Sequence, residues 1–179
     1  MAYTKGLTLV YTGEGKGKTT AAVGLAIRAH GNGKRVCMIQ FIKSSDRLYG
    51  EKTDFDQLGM EIYQTGIGFT WKKTPEEHRE ALRQGFQLAR DKINSGHYDL
   101  VILDELNNAL AIERFPIADV LPLDEVIALI QNRPKELHLV ITGRSANDSI
   151  LGLADLVTEM RPIKHYYEEG IPAVEGIEY

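Results

Sequence analysis

Tyr11-Thr12-Gly13-Glu14-Gly15-Lys16-Gly17-Lys18-Thr19-Thr20 follows an apolar run and opens a helix of small residues. Strand, glycine-rich turn, then helix is the layout of a phosphate-binding loop. A triphosphate concentrates several negative charges, and closely spaced backbone N–H groups plus a lysine hold them without bulky side chains intervening. Three glycines within positions 13–17 let the main chain curl around the phosphates. Lys18 supplies a point charge, and the Thr19 hydroxyl is placed to ligate Mg2+. The loop departs from G-x-x-x-x-G-K-[ST] at its first position, where Thr12 replaces glycine. An ordinary strand-to-helix turn also collects glycines, but it gives no reason for two lysines set among them. Positions 12–20 are therefore the candidate nucleotide-binding run.

A second signal lies downstream. Leu100-Val101-Ile102-Leu103-Asp104-Glu105 is an apolar strand ending in acids, the Walker B arrangement, in which one carboxylate reaches Mg2+ directly or through water. A strand that merely ends in solvated acids would look the same, but the upstream loop favours the metal reading. Spacing leaves open whether Asp104 or Glu105 is the nearer ligand.

Around these two motifs, strand candidates recur at α/β spacing over residues 7–12, 35–41, 60–64, 100–104, 137–142 and 156–160. Continuous apolar runs such as Leu137-His138-Leu139-Val140-Ile141 are typical of strands buried on both faces. They predict an α/β fold with a mostly parallel sheet covered by helices on both faces. The first helix, about 18–30, carries Ala21, Ala22, Gly24, Ala26 and Ala29, small enough to lie close on the sheet, and Gly31-Asn32-Gly33 ends it. Thr74-Pro75-Glu76-Glu77 reads as an N-cap, a first-turn proline and a capping box. Leu82, Phe86, Ala89 and Ile93 then form a core stripe. Further helices are expected over 123–130 and 147–153. Residues 42–53, 65–74 and the tail after 161 resist regular assignment.

The 179 residues, 43% apolar with a formal charge of −4, fit one soluble domain spanning 1–179. No basic run supports nucleic-acid binding, and no apolar run or signal segment suggests a membrane, so a cytoplasmic location is expected. The lone Cys37 excludes an internal disulfide and a cysteine-built zinc site, and its apolar setting reads as a buried, inert thiol. His165 has no second ligand at metal spacing and reads as structural.

Three loops at strand ends are functional candidates by position. Arg144, in Ile141-Thr142-Gly143-Arg144, is either a bidentate phosphate ligand or a surface arginine beside a turn. Lys43, closing Gln40-Phe41-Ile42-Lys43, either binds phosphate or an acidic substrate edge, or is a solvated loop lysine. In Gly66-Ile67-Gly68-Phe69-Thr70-Trp71, the aromatics either cover a large apolar ligand or tuck beneath the domain.

With these residues assembled, the chain resembles the ATP:corrinoid adenosyltransferase family, over nearly its whole length. The likeness rests on GEGKGKTTAAVGLAIRAHGNGKRV, QFIK, TGIGFTW, VILDELNNAL, ITGR, LADLVTEMRPIKH and the terminal GIEY. It implies a RecA-like P-loop NTPase fold, usually dimeric, in which Co(I) of a reduced corrinoid attacks the 5′ carbon of ATP and intact triphosphate leaves. ATP is bound in reversed orientation in this family, so the loop holds the leaving group. The resemblance makes Lys18, Phe69 and Trp71 catalytic, the two aromatics packing beneath the corrin ring and excluding the lower axial ligand of Co(II). It maps Thr19, Asp104 and Glu105 to Mg2+, and Phe69 and Trp71 to the corrinoid, which is cobalamin, cobinamide or cobyrinic acid a,c-diamide; with that chemistry, Arg144 is expected at ATP and Lys43 at the corrinoid from their places at strand ends. An electron-donor flavoprotein is an implied partner. A P-loop kinase or ATPase is the competing class, but no arginine cluster or acceptor-side base supports it. Departures are the short stretch before the first strand, which leaves out the corrinoid-covering extension of some members, the loop after Lys43, and His165-Tyr166-Tyr167-Glu168-Glu169-Gly170 in the tail.

Overall fold

In the computed structural model, which describes residues 5–47, 49–68 and 73–178, six strands form one sheet. They are β1 (Thr8–Thr12), β2 (Val36–Ser44), β3 (Glu61–Gly66), β4 (Leu100–Asp104), β5 (His138–Thr142) and β6 (Leu156–Glu159), in the order β3-β2-β4-β5-β1-β6. Every pairing is parallel. All loops that follow strands therefore gather at one edge. Because β4 and β5 lie between β1 and β2, that edge contains the strand-order switch where open α/β sheets bind ligands.

Strand side chains alternate between two cores, as the pleat requires. On one face Met38, Ile102 and Val140 meet Ala22 and Ala26 of α1 (Lys18–Gly31) and Phe55 of α2 (Gly50–Leu58). On the other, Cys37, Ile39, Val101, Leu103, Leu139 and Ile141 meet four helices: α3 (Pro75–Asn94), α4 (Leu106–Leu110), α5 (Leu123–Asn132) and α6 (Asp148–Leu153). Each fully buried Leu, Ile or Phe here contributes about 2 kcal/mol of apolar burial. The parallel sheet with helices on both faces is thus as the sequence reads. Cys37 is buried, and burial pushes its thiol up to about 12.

The capping box of α3 forms as predicted. Thr74 Oγ1 accepts from Glu77 N at 3.2 Å, and the Glu77 carboxylate accepts from Thr74 N at 2.8 Å. Leu82, Phe86, Ala89 and Ile93 are all buried.

Five features differ from the sequence reading. β2 runs on to Ser44, and α2 occupies the end of the stretch left unassigned; it buries only Phe55, too little for a visible periodicity. α4 is five residues long, shorter than any helical repeat can reveal. β6 is an edge strand with all four residues exposed, so its apolar Leu156 and Val157 are not core. Gly24 of α1 faces open space; the helix meets the sheet through the buried Ala22 and Ala26, with Val23, Leu25 and Ala29 packed beside them.

One packing contact carries a pH dependence. His138 Nδ1 accepts from Leu7 N at 3.1 Å, which requires that nitrogen to be unprotonated. Burial first, then Lys34 and Arg133, hold the imidazole below its ordinary value. Below about pH 6.5 the unfolded chain takes up this proton before the folded one, so stability is lost as pH falls. Melting temperatures of the wild type and His138→Gln, followed from pH 7.5 to 5, should converge or cross, the wild type losing more; parallel curves would show that His138 contributes nothing to acid sensitivity.

Candidate active site

The loops after β1, β2, β4, β5 and β6 surround an open cleft of about 900 Å³. Its floor is the loop between β1 and α1. Residues 14–20 line it, with Lys43, Glu105 and Arg144 facing them. The sheet therefore brings together the nucleotide-binding run, the lysine near the end of β2, the acid after β4 and the arginine after β5. Thr12 and Gly13 do not line the cleft. Thr12 is the last residue of β1, paired in register with Glu159, and its carbonyl accepts from Met160 N at 2.8 Å. The glycine requirement moves one position along, to Gly13, whose φ is +92°.

The loop is also shaped from below. A Cβ on Gly13 would lie 2.5 Å from Met160 O, and one on Gly15 2.8 Å from the same oxygen. At Gly17, with φ +118°, it would meet Met160 Sδ at 2.9 Å. Gly15 N donates to Met160 O at 2.7 Å, tying loop to chain beyond β6. Lys18 Nζ lies across the loop, donating to Gly13 O at 2.6 Å and Gly15 O at 2.7 Å. Burial and the facing Arg144 lower its pKa, partly offset by Glu14 and Glu105.

Beneath the loop sits Asp104, fully buried. Its Oδ1 accepts from Thr19 Oγ1 at 2.9 Å and Thr142 Oγ1 at 2.7 Å, and its Oδ2 accepts from Gln40 Nε2 at 3.0 Å. A buried carboxylate is tolerable only with its lone pairs engaged. Glu105 stands differently. Its backbone is left-handed (φ 60°), held by donation from its N–H to Thr142 Oγ1 at 2.9 Å, and this turn brings the residue to the cleft wall. Burial, then the Asp104 charge, push its carboxyl above the ordinary range, while Lys43 and Arg144 pull it back. Such strain and such a shift are typical of functional positions.

Lys43 is paired with Glu51 of α2, both side chains about 15% exposed. Burial alone would lower the Lys43 pKa, but Asp104, Glu51 and Glu105 together raise it, so the ammonium stays charged. Arg144 makes an exposed ion pair with Glu14 at 3.2 Å, a contact of small energy that exchanges readily. Its backbone is fixed instead, N donating to Asn108 Oδ1 at 3.0 Å. The tail closes the far wall: Lys16 Nζ donates to Ile177 O at 2.6 Å and pairs with Glu178 at 3.2 Å, and Tyr166 bonds Glu178. His165 caps the turn at 166–169, its Nδ1 accepting from Tyr167 N at 3.2 Å. Phe69 and Trp71 lie outside the described residues.

Sequence reasoning did not single out Gln40, Glu51, Asn108, Thr142 or Met160. Gln40 carried a usable signal, being a polar residue inside the apolar run of β2. The others become partners only once loops distant in sequence meet.

The fold and the cleft define a P-loop nucleotide-binding protein. The chain belongs to a particular family of these: the profile of "ATP:corrinoid adenosyltransferase BtuR/CobO/CobP" matches residues 4–179. It is 41% identical over 176 residues to the corrinoid adenosyltransferase of Escherichia coli and 40% to that of Salmonella typhimurium, covering 98% of this chain and 86% of each relative. It is 38% identical to the corrinoid adenosyltransferase of Pseudomonas aeruginosa, over 98% of this chain and 84% of that one.

The two roles of glycine here separate experimentally. Gly13→Ala meets both a positive φ and the Met160 carbonyl, so it should cost about 2 kcal/mol or more in denaturant unfolding. Gly24→Ala, on an exposed helical face, should gain about 0.5–1 kcal/mol. Equal effects of the two would remove the packing argument.

Proposed function

We propose that this chain transfers the 5′-deoxyadenosyl group of ATP to a reduced corrinoid. The reading rests on the family match along the chain, together with one observation: Lys18, Glu105, Arg144 and Lys43 all face a single cleft floored by the glycine loop. Cobalt in the Co(I) state donates an electron pair to the 5′ carbon and becomes formally Co(III). The carbon–oxygen bond breaks, and triphosphate leaves with that bond's electrons. No proton has to move, which suits a cleft whose chemistry-bearing groups are cations, backbone donors and hard oxygens rather than an acid–base pair.

The residues' roles follow from charge. Negative charge grows on the departing triphosphate, and preorganised donors aimed there stabilise the transition state more than the ground state. Lys18 would leave its two loop carbonyls for phosphate oxygens, and Arg144 would exchange Glu14 for the same charge. Thr19, Asp104 and Glu105 would hold Mg2+, which prefers hard oxygens and usually takes one or two carboxylates besides phosphate and water. The oxygens fit: Thr19 Oγ1 and Asp104 Oδ1 lie 2.9 Å apart, with Glu105 on the cleft wall. Asp104 has both oxygens engaged within the protein, so Glu105 would be the direct carboxylate and Asp104 would act through Thr19, whose hydroxyl it holds. When bound, Mg2+ supplies neutralisation of the triphosphate charge. Lys43, which lines the same cleft beside Glu51, would meet the corrinoid periphery. Phe69 and Trp71 would pack beneath the corrin ring and keep the lower axial position of Co(II) empty, so that a weak reductant such as a reduced flavoprotein can form Co(I). A homodimer is the proposed assembly.

Incubation with ATP, Mg2+ and chemically reduced cobalamin should yield a light-sensitive adenosylated product with one triphosphate per turnover. Release of ADP or orthophosphate in step with turnover would instead support a kinase or ATPase. Lys18→Ala should lower kcat by at least about a hundredfold with the melting temperature little changed; unchanged turnover would remove Lys18 from the mechanism. Phe69→Ala and Trp71→Ala should impair turnover mainly when the assay begins from Co(II) with a weak reductant. An equal loss with prereduced Co(I) would place these aromatics in ring binding alone.

A further inference from the structure

The amide of Gln40 is fully buried and does not line the cleft, yet it bonds both Glu51, which lines it, and Asp104, which is buried and bonded to Thr19. Its Nε2 donates to Asp104 Oδ2 at 3.0 Å and to Glu51 Oε1 at 3.1 Å, and its Oε1 accepts from Gln64 Nε2 at 3.1 Å. The orientation is forced, because only an NH2 group can face two carboxylates at once. Glu51 in turn holds Lys43, and Asp104 holds Thr19 and Thr142. Register explains the alignment: Gln64, Gln40 and Asp104 are Cα partners across three adjacent strands, so one row of the sheet carries all three.

We infer that Gln40 is a positioning residue that fixes the spacing between the triphosphate side of the cleft, held by Thr19 and Asp104, and the corrinoid side, held by Lys43. The inference rests on the proposed adenosyl transfer and assigns a role within it. In-line attack needs the metal and the carbon at a set distance and angle, and small misplacement costs rate rather than binding. A relay of four hydrogen-bonded joints, Thr19 to Asp104 to Gln40 to Glu51 to Lys43, is suited to setting that distance. It joins α1, β4, β2 and α2; Thr19, Glu51 and Lys43 line the cleft, while its middle residue, Gln40, does not. Replacing Gln40 with an apolar residue of similar length opens the middle joints and leaves every cleft-lining group in place. Gln64, which bonds only the outer side of the amide, lies off the relay.

Gln40→Met and, at the next joint, Glu51→Gln are compared with the unsubstituted chain. Single-turnover adenosylation of prereduced cobalamin is measured alongside separate equilibrium binding of ATP and of cob(II)alamin, with active-site titration to count competent protein. The expected result is a kcat lower by about a hundredfold per competent site in Gln40→Met, with each binding constant moved less than about threefold. Glu51→Gln should show a smaller split of the same kind. It loses the carboxylate that anchors Lys43, yet its amide oxygen can still accept from Gln40, so it also tests the relay should Gln40→Met fail to fold. Unchanged kcat per competent site, or losses fully matched by weakened binding, would overturn the positioning role. Failure of the unsubstituted chain to form a cobalt–carbon bond would overturn the proposed activity itself, a result the parallel arm separates from the first.

Discussion

The buried carboxylate of Asp104 is the constraint around which the ligand-binding edge is organised. A charge removed from water is stable only if donors surround it, and here three elements each provide one: α1 through Thr19, β5 through Thr142 and β2 through Gln40. Replacing such a cluster with apolar side chains would often cost nothing in stability. Its value lies in geometry, since it locks the start of α1 against the ends of three strands. Glu105, the next residue, is turned by its left-handed backbone to the cleft wall. Two adjacent acids thus take different tasks because one is enclosed and the other is not.

A second constraint comes from the opposite side of the loop. The chain beyond β6 passes directly under the glycines, with the Met160 carbonyl and sulfur where side chains would otherwise be. The glycines therefore serve packing as much as they leave room for phosphate. That contact also explains how β6, an exposed edge strand with little core of its own, still matters: its end is the template on which the loop rests. The tail continues from there to Lys16, so the loop is held between Met160 beneath and Ile177 and Glu178 at its rim.

The strands, α1, α3 and the phosphate loop were legible because their signals are local. An apolar run, a capping box or a glycine–lysine turn is complete within ten or so residues. α4 was not, because five residues hold less than two turns, and α2 was not, because one buried Phe55 sets no period. Among site residues, Lys18, Thr19, Glu105 and Arg144 follow strand ends and could be picked by position. Glu51 and Asn108 could not: each acts through a partner brought near by tertiary contact, Lys43 in one case and the Arg144 backbone in the other.

The sequence by itself determined the class of fold, the glycine–lysine loop after the first strand and the presence of two acids where the fourth strand ends. These follow from hydrophobic periodicity and from the backbone freedom of glycine, properties each residue carries wherever it stands. Only the tertiary structure decided which acid reaches the cleft, that Thr12 does not line it, and that Gln40 links Asp104 to Glu51. Burial and hydrogen-bond partnership belong to pairs of residues, and such pairs form only when parallel strands set distant segments side by side.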